Sequence, residues 1–179
     1  MSRVIETSRL TLRPWRAVDH PSASRVYGSP AVHSRLDPRL SLSTPAALRR
    51  TLVRWSAEDG RPVPEGHWAV ELSEGGRVVG GLSLQFVPSA DGDLTIAWAL
   101  APAAWGRGYA AEAAEGLIDW ALHEGPVTEV FAIVQLDNER ASATARRIGM
   151  EWIGESGDAE RRQQVFRMRH GQLSVAEHA

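Results

Sequence analysis

Residues Leu94–Leu100 alternate with the period of a strand, and from Ala110 apolar residues recur with the period of a helix. Gly106-Arg107-Gly108 stands at the changeover. Glycine lets a chain turn tightly and leaves room for a ligand beside the backbone. The first turn of the following helix offers N–H groups without intrahelical partners and a partial positive charge, which together favour an anion such as a pyrophosphate. Arg107 would add a charge-assisted contact. The plain alternative is an ordinary strand-to-helix turn.

Two phosphate-binding patterns fail here. A P-loop needs a lysine, and all 20 basic residues of this chain are Arg. Gly106-Arg107-Gly108-Tyr109-Ala110-Ala111 formally satisfies the dinucleotide-binding pattern, but its first glycine comes six residues after Leu100. Asp137, the acidic residue that pattern would use, is 29 residues past Gly108, beyond the usual distance of about 20. The preceding strands are joined by hairpins, and too little chain remains for a doubly wound sheet.

The remaining pattern is mixed. Leu10–Trp15, His67–Leu72, Val78–Leu84, Val130–Val134, Met150–Gly154 and Gln164–Arg169 read as further strands, with a hairpin at Glu74-Gly75-Gly76-Arg77 and a turn over residues 88–93 that Asp93 would shape. A helix capped by Asp19 is expected over residues 19–28. Thr44-Pro45 opens a second helix on Leu48, Leu52 and Trp55, with Gly60 as its stop and a loop over 61–66. Ala110, Ala113, Ala114, Leu117, Ile118, Ala121 and Leu122 stripe a third helix ending at Gly125-Pro126. Asn138–Ile148 makes a fourth, stopped by Gly149. Residues 1–170 read as one domain and 171–179 as a polar tail.

Composition narrows the chemistry. A net charge of -2 over 179 residues gives no global attraction to nucleic acid or an anionic membrane. The absence of Cys removes disulfides, thiolate nucleophiles and Cys-based metal sites. Six histidines without ligand spacing argue against a metal. No apolar run approaches the roughly 18 residues of a membrane helix, and no signal peptide is visible, so a soluble, cytoplasmic protein is expected.

The Gly106-Arg107-Gly108-Tyr109-Ala110 loop, its helix, the next strand and the spacing from Asn138 to Gly149 resemble the GNAT acetyltransferases. Glu6-Thr7-Ser8-Arg9-Leu10-Thr11-Leu12-Arg13-Pro14 and Pro102…Trp105-Gly106-Arg107-Gly108-Tyr109-Ala110 are similar to the RimJ/RimL-type protein N-terminal acetyltransferases. The resemblance implies an α+β fold: a mixed, mostly antiparallel, splayed sheet of about seven strands with about four helices. It places acetyl-CoA between strands 94–100 and 130–134. By the same resemblance, the backbone near Leu100 pairs with the pantetheine arm, and the N–H groups from Trp105 through Gly106, Arg107, Gly108 and Tyr109 to Ala110 hold the pyrophosphate. Asn138 would bond the arm near the thioester, and Arg147 would lie near the nucleotide.

The sequence departs from the family at Ala103, where a Gln or Arg is usual, and at Ala111, which replaces a hydroxyl. It departs again at Ala141, Ala145 and Thr95, where the serine, the tyrosine acid and a strand carboxylate are expected. Ser142, about 100° round the helix from Ala141, is the candidate acid, with a solvent- or backbone-bonded serine as the alternative. Glu71 and His67 share a strand face, as proton relays or as solvated residues. Trp68, Trp98 and Trp105 would line an acceptor channel or pack the core. Arg161-Arg162 would start a strand or dock an acidic acceptor.

The expected activity is acetyl transfer to a primary amine by direct attack in a ternary complex, since no Cys is present for a covalent intermediate. The acceptor is a protein or peptide N-terminus, or a small amine such as an antibiotic or polyamine. A non-catalytic acyl-CoA-binding regulatory domain is the rival. The protein is expected to be a monomer or homodimer.

Overall fold

The computed structural model describes residues 3–36, 44–57, 64–86, 94–125, 127–157 and 162–171. In chain order its strands are β1 (Ile5–Glu6), β2 (Leu10–Pro14), β3 (Gly66–Leu72), β4 (Val78–Phe86), β5 (Leu94–Leu100), β6 (Glu129–Gln135), β7 (Glu151–Ser156) and β8 (Gln163–Arg169). Its helices are α1 (His20–Tyr27), α2 (Pro30–His33), α3 (Pro45–Ser56), α4 (Tyr109–Glu124) and α5 (Glu139–Arg147). The eight strands form one sheet in the order β1-β2-β3-β4-β5-β6-β8-β7. Every neighbouring pair is antiparallel except β5 with β6.

The expected α+β splayed sheet is present, with one strand and one helix more than the sequence pattern indicated. β1 pairs only Ile5 with Leu12 and Glu6 with Thr11, too short for any alternation to show. α2 is a four-residue turn opened by Pro30 after Ser29, too short for a stripe. The features expected at Gly60, 61–63, 88–93, Pro126 and Arg161, and in the tail beyond Gly171, lie outside the described residues.

Local chemistry sets the start of α3. Thr44 Oγ1 accepts a bond from the Ala47 N–H at 3.1 Å, capping α3, while Leu48, Leu52 and Trp55 are buried as their spacing requires. Asp19 departs from its expected role. Its carboxylate gives α1 no cap but takes the Arg16 N–H at 2.8 Å and a forked pair of bonds from Arg13 at 2.8 and 2.9 Å. A 3-10 turn at Ala17–Asp19 precedes α1 and turns the side chain inward.

The sheet separates two cores. On one face α4 buries Ala111, Ala113, Ala114, Leu117, Ile118, Ala121 and Leu122 against Leu10, Leu12, Trp68, Val70 and Val130. Trp68 is wholly enclosed, edge-on to Trp120 at 5.6 Å, so it packs the core rather than lining a channel. On the other face α1 and α3 bring Trp15, Tyr27 and Trp55 together with Ala69 and Ala99. The three ring centroids are 5.6 to 6.0 Å apart, and burying each such side chain contributes roughly 1.5–3 kcal/mol.

Candidate active site

The parallel pair β5–β6 joins only at Leu94↔Val130 and Thr95↔Phe131. Beyond these residues the strands diverge, while β5 stays paired with β4 to its end at Leu100↔Gly80. A wedge therefore opens between Ile96–Leu100 and Ala132–Gln135, and polar main-chain groups on its walls lack a sheet partner there.

At the open end of the wedge the chain leaves Leu100 through a 3-10 turn at Pro102–Ala104 and passes Trp105 into the glycine loop. Gly106 and Gly108 hold φ of 72° and 78°, a left-handed conformation that L side chains adopt at a cost of about 1–2 kcal/mol. Gly108 is the N-cap of α4 and has no side chain to cap it, leaving the first-turn N–H groups to another partner. Arginines surround this loop. A Cβ placed on Gly108 would lie 3.4 Å from Arg9 Nη2 and 3.9 Å from Arg147 Nη2, and Arg107 itself is exposed. Arg147 thus stands beside the loop.

Trp105 folds back over the end of β5. Its indole N–H donates to the Leu100 carbonyl at 2.8 Å, and the Arg140 guanidinium lies 3.8 Å above its ring. Part of the Leu100 backbone is therefore already engaged. Asn138 caps α5 by accepting from the Ala141 N–H at 3.2 Å, and its side-chain amino group makes no hydrogen bond among the described residues. A cavity of about 520 Å³ opens here, with Ser34 and Arg35 beyond α2 on one side and Trp105, Asp137, Asn138 and Arg140 on the other. Arg35 and Asp137 form an ion pair at 2.5 Å across its mouth.

The proposed proton-handling residues are not brought together. Ser142 is 2% exposed, and its Oγ accepts from Gln164 Nε2 on β8 at 3.0 Å. Ala145 is buried, and Thr95 Oγ1 donates to the Gln85 carbonyl at 3.1 Å. Glu71 takes Arg13 Nε at 2.7 Å and Nη2 at 2.6 Å on the same oxygen. His67 stacks on Trp55 at 4.4 Å.

Arg13 thus joins two carboxylates in the interior. The Asp19 hydrogen bonds raise the Arg13 pKa above its ordinary value, opposed by burial. Burial pushes Asp19 up, but the bonds from Arg13 and Arg16 and their charges outweigh it and hold the carboxyl below its ordinary range.

Sequence reasoning passed over Arg9, Glu112, Arg35 and Arg140. Arg9 lay in view within the Glu6–Pro14 phrase, and Arg140 sits two residues into the Asn138 cap. Arg35 and Asp137 meet only through the fold.

The wedge opens beside the glycine loop and the capping Asn138, and sequence comparison identifies the family of the chain. The model of the acetyltransferase (GNAT) domain matches residues 9–151. The chain belongs to the GNAT acetyltransferase family. Solved structures agree in fold. A GNAT-family acetyltransferase from Bacillus anthracis superposes with a TM-score of 0.79 at 17% identity, covering 93% of this chain and 98% of that one. An acetyltransferase from Agrobacterium tumefaciens shares 26% identity at a TM-score of 0.74, over 94% and 95% of the two chains. A Vibrio cholerae protein, provisionally described as a ribosomal-protein-serine acetyltransferase, gives 0.76 at 17% identity over 94% and 99%. Among the described residues no helix is long and apolar enough to cross a membrane.

Proposed function

We propose that this acetyltransferase moves an acetyl group from acetyl-CoA to a protein or peptide N-terminus by direct attack in a ternary complex. The observation that carries the reading is the loss of β5–β6 pairing beyond Thr95 and Phe131, with the glycine loop at the end of the gap. The donor set fits acetyl-CoA. Main-chain N–H groups from Trp105 to Ala110, with Arg107 and Arg147, would hold the pyrophosphate. The Asn138 amide and the backbone near Leu100 would meet the amides of the pantetheine arm.

In the transfer, the amine nitrogen attacks the thioester carbon and the C–S bond breaks. The amine proton passes to a base or water, and the leaving thiolate takes a proton or is stabilised by a donor. Ser142 and Glu71 are the groups proposed for these protons. Ser142 still has its hydroxyl proton after accepting from Gln164, and Glu71 Oε1 makes no hydrogen bond among the described residues. An N-terminal acceptor is supported by the Glu6–Pro14 and Pro102–Ala110 phrases, and a protein acceptor by the description of the Vibrio protein.

The test is thiol release from acetyl-CoA against N-terminal peptides and small amines, with acetyl-CoA binding measured by calorimetry. Release that depends on peptide N-termini supports the proposal. Release only with a small amine, such as an antibiotic or polyamine, overturns the acceptor assignment, and failure to bind acetyl-CoA overturns the cleft assignment.

A further inference from the structure

Glu112 lies in the first turn of α4, where a carboxylate is favoured by the helix but opposes any anion approaching the same end. Its two oxygens are fully engaged. Oε1 accepts from Thr7 Oγ1 at 2.7 Å and from the Arg9 N–H at 2.8 Å, and Oε2 accepts from Arg9 Nε at 2.7 Å and Nη2 at 2.6 Å. The guanidinium does not stop there. Arg9 Nη1 donates to the Arg107 carbonyl at 3.1 Å, and the group lies 4.9 Å above the Tyr109 ring. One side chain therefore touches the loop from Arg107 to Tyr109 while neutralising the carboxylate behind it.

The same turn seats on the helix one turn later. A Cβ on Gly116 would lie 2.8 Å from Thr7 Cγ2, so the turn reaches α4 because residue 116 has no side chain. Burial acts to raise the Glu112 pKa, but its bonds with Thr7 and Arg9 prevail and hold it ionised.

Resting on the reading of this loop as the pyrophosphate site, we propose that Arg9 is a positioning residue for acetyl-CoA: it cancels Glu112 and fixes the α4 N-terminus against the β1–β2 turn. Four charged side chains stand at the loop, Arg9, Arg107, Arg147 and Glu112, with a net charge of +2. Arg9→Gln lowers that charge to +1 and leaves Glu112 facing the incoming phosphates without its cation. Adding Glu112→Gln restores +2.

The experiment is calorimetry of acetyl-CoA and of inorganic pyrophosphate with wild type, Arg9→Gln and Arg9→Gln/Glu112→Gln at two salt concentrations, with ligand-free thermal midpoints. Arg9→Gln should weaken binding about tenfold with a shallower salt dependence, and the double variant should recover to within about threefold of wild type. The ligand-free thermal midpoints check that each variant is folded at the calorimetry temperature, so that recovered binding is not recovered folding. Gly116→Ala, which changes no charge, should weaken binding while leaving the salt dependence intact. Wild-type affinity in Arg9→Gln, or no recovery in the double variant, overturns the inference while the loop assignment stands. Failure of wild type to bind either probe overturns the loop assignment itself.

Discussion

The two faces of the sheet are held by different physics. On the α4 face, small side chains and main chain do the work: alanines let the helix lie close to the strands, and glycines expose N–H groups at its start. On the α1–α3 face, aromatics packed at tilted and edge-on angles and a largely buried charge triad fill the space. The first arrangement leaves polar backbone free for a ligand. The second satisfies its charges internally and offers rigidity. Stability and ligand binding should therefore respond to substitutions on opposite faces.

The largest expected effect is on the triad. Arg13→Met leaves Asp19 and Glu71 without their buried cation, and breaking a buried pair typically costs about 3–5 kcal/mol. Urea unfolding should show that loss, while acetyl-CoA affinity of the folded fraction stays near wild type. Strong loss of affinity would erase the division between faces.

Acid should act on the triad through Asp19 and on the α4 N-terminus through Glu112. Asp19 and Glu112 both titrate below their ordinary range in the folded chain, so the unfolded chain binds more protons as pH falls. Their stabilisation is complete above about pH 5 and is lost progressively through and below the ordinary carboxylate range. Unfolding midpoints measured from pH 7 to pH 3 should fall, and a flat profile would mean that neither carboxylate is held as the geometry indicates.

Gly108→Val reverses the pattern. A β-branched residue at φ 78° crowds the two guanidiniums; a loop that relaxes to relieve about 1–2 kcal/mol of strain leaves its binding conformation, which lowers acetyl-CoA affinity roughly 5- to 30-fold. Unchanged affinity by calorimetry would remove the loop from the site.

Ser142→Ala strands Gln164 Nε2 and should cost about 1 kcal/mol of stability. A much larger fall in kcat than in stability would place Ser142 in proton transfer, and parallel modest changes would make it structural. The smallest effect belongs to Arg35→Ala, since exposed ion pairs contribute about 0–1 kcal/mol. It should leave the thermal midpoint almost unmoved and change KM more than kcat if the Arg35–Asp137 pair meets substrate at the cavity mouth.

The contrast between faces also governs what the sequence discloses. The α4 stripe, the glycine loop and the Thr44-Pro45 cap are legible because each depends on residues within a turn or two of one another. The triad and the site's polar contacts are not. Glu71 meets Arg13 across 58 residues, Ser142 meets Gln164 across 22, and Glu112 meets Arg9 across 103. Such pairings carry no period, so Glu71 read as a proton relay or a solvated strand carboxylate, and Ser142 as the candidate acid beside a missing serine. Asp19 shows the same limit in miniature. Its position before a helix predicts a cap, but an arginine six residues upstream claims the carboxylate.

The parting of β5 from β6 also bears on how the empty protein behaves. An unpaired strand edge is a template on which other chains can assemble, and here that edge lies in the interior of the sheet rather than at its rim. The charges and short rim strands that guard ordinary edges have no counterpart between Ile96–Leu100 and Ala132–Gln135. Beyond the Trp105 bond to Leu100, a ligand inserted there would shield it. A molecule filling the gap therefore acts as a solubiliser as well as a reactant, and light scattering on warming should rise later when acetyl-CoA is present.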